Sequence, residues 1–156
     1  MPRKSPFDLD PMPEIKFHRE AILRRVVDGD TLDVEIDLGW SMKLKERLRL
    51  EFVDTPELNK KEEKKAGQLV KSHLEELLPV DTTRLIITSM AYDRNGRVRG
   101  KYGRTMAVVY RADDGWCLNK YLLKERLAWK TDENGKIAGK RDLSLLTGIA
   151  KLNPPL

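Results

Sequence analysis

Beyond the first nineteen residues, apolar and polar positions fall into two periods. Residues 1 to 19 hold four prolines and no sustained pattern, which predicts an N-terminal arm. Ala21-Ile22-Leu23-Arg24-Arg25-Val26-Val27 reads as a strand. After Asp28-Gly29, Leu32, Val34, Ile36 and Leu38 alternate with Asp33, Glu35 and Asp37, predicting a second strand with one dry and one wet face. Gly39 begins a turn. Leu44, Leu48, Leu50 and Phe52 then share one parity and predict a third strand running into Val53-Asp54-Thr55-Pro56, stopped by a proline that cannot donate to a ladder. The spacing of Ala66, Leu69, Val70, His73, Leu74, Leu77 and Leu78 is helical, so an amphipathic helix is expected within 60–78, ended by Pro79. Residues 83–90 and 104–111 read as two more strands with an Asn95-Gly96 turn between them. Asp114-Gly115 turns the chain into a second helix over 118–129, and Leu143, Leu145, Leu146 and Ile149 suit one short docking helix in the tail.

Three strands, a helix, two strands and a helix predict an α+β, mainly β fold: a five-stranded Greek-key OB-fold barrel with two to three helices. The expected divisions are an arm at 1–19, the barrel domain at 20–130 and a tail at 131–156. Such barrels often bind nucleic acid, although fold does not fix function.

Composition narrows the class. A chain of 156 residues has the size of one domain. With 40% hydrophobic and 35% charged residues it reads as globular. No apolar run reaches the roughly 18 residues that span a membrane, and no apolar stretch follows the basic start Met1-Pro2-Arg3-Lys4 as a secretory signal requires. The expectation is a cytoplasmic monomer without membrane or obligate protein partner, secretion staying open if a leader was removed. Cys117 is the only cysteine, which excludes an internal disulfide and a thiolate-rich metal site. Lys and Arg number 30 against 25 Asp and Glu, with a pI near 9.3, an excess that suits a polyanionic partner.

Three blocks carry candidate chemistry: Val27-Asp28-Gly29-Asp30-Thr31, Arg49-Leu50-Glu51-Phe52-Val53-Asp54-Thr55-Pro56-Glu57, and Lys101-Tyr102-Gly103-Arg104. Asp30 enters one strand and Asp54 leaves another, so both carboxylates can reach the same end of a barrel. A hard divalent cation would relieve their repulsion and take a further oxygen from the Thr55 carbonyl. Glu57, across a proline-stiffened corner, is placed to orient a water and accept its proton. Arg49 and Arg104 offer planar guanidiniums that grip phosphoryl oxygens and keep their charge. One geometric demand stands in the way. Five residues of flat strand cover about 16 Å, so Arg49 and Asp54 meet only if the chain coils sharply between them.

The three blocks, in this order, resemble the staphylococcal nuclease (thermonuclease) family over about residues 21–130. The resemblance implies an OB-fold that binds calcium through Asp30, Asp54 and the Thr55 carbonyl. It implies Glu57 as the water-activating group, Arg49 and Arg104 as phosphate clamps, and Lys101 and Tyr102 near the substrate phosphate. The implied reaction is hydrolysis of DNA and RNA at the bond between phosphorus and the 5′ oxygen, leaving 3′-phosphate ends. Departures from the family pattern are a longer loop around Gly39-Trp40-Ser41-Met42, a shorter segment after Glu57, Gly100 before Lys101, and Asp132 near a position where the type enzyme has a substrate-contacting tyrosine. Base stacking is accordingly weaker or supplied by Trp40 or Trp129.

Each block alone has a bland reading: a solvated Asp-Gly-Asp turn, a strand stop, an ordinary Tyr-Gly-Arg turn. His73 on the apolar stripe reads as a boundary or core histidine, His18 as solvated, and Trp116, Trp129, Tyr121 and the methionines as packing rather than recognition. Glu62-Glu63-Lys64-Lys65 has a Glu-x-Lys spacing that charge runs at helix starts produce by chance. The rival to a nuclease is a catalytically silent OB-fold module that binds nucleic acid without cutting it.

Overall fold

The structure is a computed structural model, and it describes residues 18–88, 105–132 and 134–152. Strands β1 (His18–Asp28), β2 (Thr31–Gly39) and β3 (Met42–Leu50) form an antiparallel meander. A two-residue strand β4 (Val53–Asp54) leads to helix α1 (Lys64–Leu77), and β5 (Arg84–Thr88), β6 (Thr105–Arg111), helix α2 (Leu118–Lys124) and β7 (Trp129–Lys130) follow. The barrel closes in the order β1-β2-β3-β6-β5, with β5 returning to β1 and β3 running parallel to β6. Five barrel strands and two α-helices make this the mainly β, α+β OB-type barrel expected from the strand order.

The alternation along β2 and β3 sends Leu32, Val34, Leu48 and Leu50 into the barrel, all 2% exposed or less. From the α1 stripe, Val70, Leu74 and Leu78 are fully buried and join the same core. Each such side chain contributes about 1.5–3 kcal/mol by leaving water. Asn119 of α2 is buried and polar, and its hydrogen bonds are satisfied: its Nδ2 donates to the carbonyls of Glu51 at 2.9 Å and Ala107 at 3.2 Å, and its Oδ1 accepts from the Val109 amide at 2.9 Å.

Helix α1, Lys64–Leu77, falls within the expected 60–78. Two expected boundaries shift. Helix α2 stops at Lys124, because Arg126 takes a left-handed conformation with φ 57°, so Leu127 and Trp129 reach the core from a loop and from β7. The third strand breaks after Leu50: Phe52 has φ 67°, and β4 leaves the barrel to pair with β7. In the tail, residues 143–145 and 149–151 form two short 3-10 turns, and Leu146 and Ile149 join the core. The Asn95-Gly96 turn lies outside the described residues. Among the described residues no helix is long and apolar enough to cross a membrane.

Candidate active site

The turn between β1 and β2 is the first component. A Cβ on Gly29 would sit 2.7 Å from both Thr55 Oγ1 and Val70 Cγ1, so glycine is what lets this turn lie against the Thr55 corner and α1. Asp30 follows and is 6% exposed. Its Oδ1 accepts from Thr31 Oγ1 at 3.1 Å, and its Oδ2 accepts from the Thr55 amide at 2.9 Å. Burial pushes its carboxyl up to about 6, against the pull of Arg49 and with help from Asp28.

The second component is the broken end of β3. The reversal at Glu51-Phe52 is fixed from three directions: the Glu51 amide donates to the Ala107 carbonyl at 2.9 Å, Asn119 holds the Glu51 carbonyl, and the Thr131 amide donates to the Phe52 carbonyl at 2.9 Å. Through it β4 runs back past Arg49. The distance that a flat strand would hold open is closed: Arg49 Nη2 lies 3.7 Å from Asp54 Oδ1, while its Nη1 lies 2.9 Å from Asp30 Oδ2 and donates to the Val53 carbonyl at 3.0 Å. Asp30 and Asp54 thus flank one guanidinium. Burial raises the Asp54 carboxyl above its ordinary value, the Asp30 charge adds to this, and Arg141 and Arg49 oppose it.

After Asp54 the chain turns through Thr55, 1% exposed, and Pro56 to Glu57, whose side chain is 41% exposed. Helix α1 supports the corner closely, since a Cβ on Gly67 would stand 2.7 Å from the Pro56 carbonyl oxygen. The Glu57 amide donates to Glu63 Oε1 at 2.9 Å. Glu63, in the run that reads as a solvated helix start, is instead 8% exposed and paired with Arg141 of the tail: Nε donates to Oε2 at 2.9 Å and Nη2 to Oε1 at 2.7 Å. Arg141 Nη1 also donates to Asp54 Oδ2 at 2.8 Å, and Nη2 lies 3.8 Å from Glu57 Oε1. The hydrogen bond from Arg141 holds the Glu63 carboxyl below its usual range.

Asp30, Arg49, Asp54, Thr55 and Glu57 therefore meet at one end of the barrel. Glu63 and Arg141 complete the group without any signal in the three blocks. A lone Arg in an irregular tail carries none, whereas the Glu-x-Lys run held Glu63 in plain view. Lys101, Tyr102 and Arg104 lie outside the described residues; Thr105, next in sequence, begins β6 and pairs with Leu48. Trp129 is 4% exposed beneath the Arg141 guanidinium, 4.5 Å from ring centroid to Cζ, so it cannot stack on a base. Trp40 is 93% exposed, but at the far end of the β2–β3 ladder from Arg49. Eight residues of strand put it about 26 Å from the site. His73 is a half-buried partner of Tyr121, Nε2 to OH 2.6 Å, and His18 is exposed at the start of β1.

Four carboxylates, Asp30, Asp54, Glu57 and Glu63, face two guanidiniums, Arg49 and Arg141. Oxygen donors with this surplus of negative charge, two of them raised by burial, fit a hard divalent cation such as calcium. Among the described residues no three His, Cys, Asp or Glu side chains converge as a ready cage; the Arg49 guanidinium lies between Asp30 and Asp54.

No curated protein matches the chain. The family model described as Staphylococcal nuclease homologue matches residues 47–151, which include the Arg49–Glu57 corner, the Lys101–Arg104 block and Arg141. With more than half of its 156 residues so matched, this chain belongs to the staphylococcal nuclease homologue family, whose barrel serves as a nuclease-type or nucleic-acid-binding module.

Proposed function

We propose that the protein is a calcium-dependent, sugar-nonspecific nuclease that hydrolyses DNA and RNA at the P–O5′ bond and leaves 3′-phosphate ends. The observation that carries this reading is the meeting of Asp30, Arg49 and Asp54 beside the half-exposed Glu57. Asp30, Asp54 and the Thr55 carbonyl would hold the calcium, which supplies Lewis-acid stabilisation of the phosphoryl oxygens when bound. Glu57 orients the attacking water and takes its proton as the new P–O bond forms opposite the 5′ oxygen. Arg49 and Arg104 bind the phosphoryl oxygens as negative charge builds on them. Arg49 already lies in a nest of acceptors, so a phosphate entering beside Asp30 replaces carbonyl contacts and meets an arginine that is already in place. The electron pair of the broken bond leaves on the 5′ oxygen, which takes a proton from solvent to become the 5′-hydroxyl, and the phosphate stays on the 3′ side.

One observation favours the second reading, a silent binding module: both described guanidiniums of the site are taken up by carboxylates. A single assay separates the two. Single-stranded DNA and RNA are incubated with the protein, with calcium or with a chelator. Fragments that appear only with calcium, and that a polymerase extends only after phosphatase treatment, support the nuclease. A salt-sensitive mobility shift without fragments supports the module.

A further inference from the structure

We infer that Arg141 is a positioning residue of this site, a clip from the tail that fixes the Asp54–Glu57 corner and sets how tightly the site holds a divalent cation. The catalytic part of this rests on the nuclease reading above. The structural part does not.

All three nitrogens of the Arg141 fork are used. Nε and Nη2 grip the two oxygens of Glu63 at 2.9 and 2.7 Å, and Nη1 takes Asp54 Oδ2 at 2.8 Å. Glu63 Oε1 also accepts from the Glu57 amide. One guanidinium thereby ties both ends of the Asp54–Glu57 corner to the start of α1. Its own position is set independently: its Cζ lies over the Trp129 ring, 4.5 Å from the centroid, and Trp129 Nε1 donates to the carbonyl of Asp142, the next residue, at 3.0 Å. Trp129 in turn pairs with Asp54 in the β4–β7 ladder. A planar, always-charged fork can bridge two carboxylates and lie on an indole at once, which an ammonium cannot. Beyond Arg141 an open cleft of about 730 Å³, with Lys60 and Lys140 on its walls, reaches solvent, so a shortened side chain there admits water instead of leaving a dry void.

Two consequences of opposite sign follow. The clip steadies Glu57, on whose direction proton transfer depends. It also places a positive charge on Asp54, which lowers the attraction of that carboxylate for a cation. A residue that merely supports the fold would weaken activity, ion binding and thermal stability together.

The test uses the full chain and the variants Arg141→Ala, Arg141→Lys and Glu63→Gln. Arg141→Ala is expected to lower kcat on single-stranded DNA at least about tenfold with KM within about twofold, the pattern of lost positioning. Calorimetry should show calcium binding about threefold or more tighter in the same variant, as the competing charge is gone. Arg141→Lys should restore the wild-type calcium affinity but not kcat, because it returns charge without the fork. In every variant the Glu57 amide should exchange hydrogen faster than in the wild type. Glu63→Gln keeps the tail in place and so reports on the clip even if both Arg141 variants fail to fold. Unchanged kcat in Arg141→Ala, full rescue of kcat by lysine, or unchanged exchange at Glu57 would each overturn the inference. A wild-type protein that does not cleave sinks the nuclease reading, and calcium affinity and Glu57 exchange then still decide the clip.

Discussion

The two ends of the β2–β3 ladder follow the same alternation and come to opposite results. At the Thr31–Arg49 end, the inward positions Leu32, Leu48 and Leu50 are sealed and the outward Arg49 is locked among carboxylates and carbonyls. At the Gly39–Met42 end the same inward parity carries Met42 and Leu44, 53% and 42% exposed, and Trp40, in a left-handed conformation, is 93% exposed. Periodicity states which face a residue takes. What lies over that face is decided by segments distant in sequence: α1, the β4 corner and the tail at one end, none of them at the other.

The contrast can be broken in order of effect. Glu57→Ala at the closed end, or Arg104→Ala, is expected to lower turnover at least about 100-fold with the circular dichroism spectrum intact. Equal turnover in either variant removes the roles assigned above. A proton titration comes next. Asp30 has its folded value raised from 3.8 to about 6, so between those two values the native state holds a proton that the unfolded chain has released. Its contribution therefore makes the calcium-free protein less stable as pH rises through that window, on the order of 1–3 kcal/mol in all. Calcium favours the charged form and should move the Asp30 midpoint, followed by carboxyl carbon NMR, back below about 4. A midpoint that ignores calcium separates Asp30 from the ion.

Smallest are two backbone substitutions of opposite sign. Gly29→Ala forces a methyl against Thr55 and Val70 and should cost about 1–3 kcal/mol in urea denaturation. Trp40→Asn puts a residue that tolerates the left-handed region where an exposed indole now occupies it, and should gain about 0.5–1 kcal/mol without altering turnover. A stabilising Gly29→Ala, or a loss of activity in Trp40→Asn, would erase the distinction between the two ends.

The barrel was legible in the chain to the extent that its cause is local. Parity along β1 to β3 and the α1 stripe express one buried face each, and a reader of the sequence sees them directly. The break of β3 at Phe52 is not local. Its anchors are Ala107, Asn119 and Thr131, all far along the chain, and no nearby glycine announces the positive φ. The end of α2 is hidden for the same reason, with Arg126 in the left-handed position that glycine commonly fills. In the site, Asp30, Arg49, Asp54, Thr55 and Glu57 could be named because their types recur at fixed spacing in short blocks. Arg141 could not, since one arginine in an aperiodic tail is indistinguishable from surface charge until its partners are seen. Trp129 reads from its type as packing, and its burial beneath Arg141 bears that out; the stacking role open to it as an alternative does not fit.

The pairing of β4 with β7 bears on the order in which a ribosome releases this chain. Thr31, Arg49 and the other strand residues of the meander emerge first, and Val53 and Asp54 gain their ladder partners Lys130 and Trp129, and Asp54 its contact with Arg141, only after residues 129–141 have followed. Until then the Asp54–Glu57 corner lacks its ties to β7 and Arg141, and a growing chain close to RNA holds the site only partly assembled.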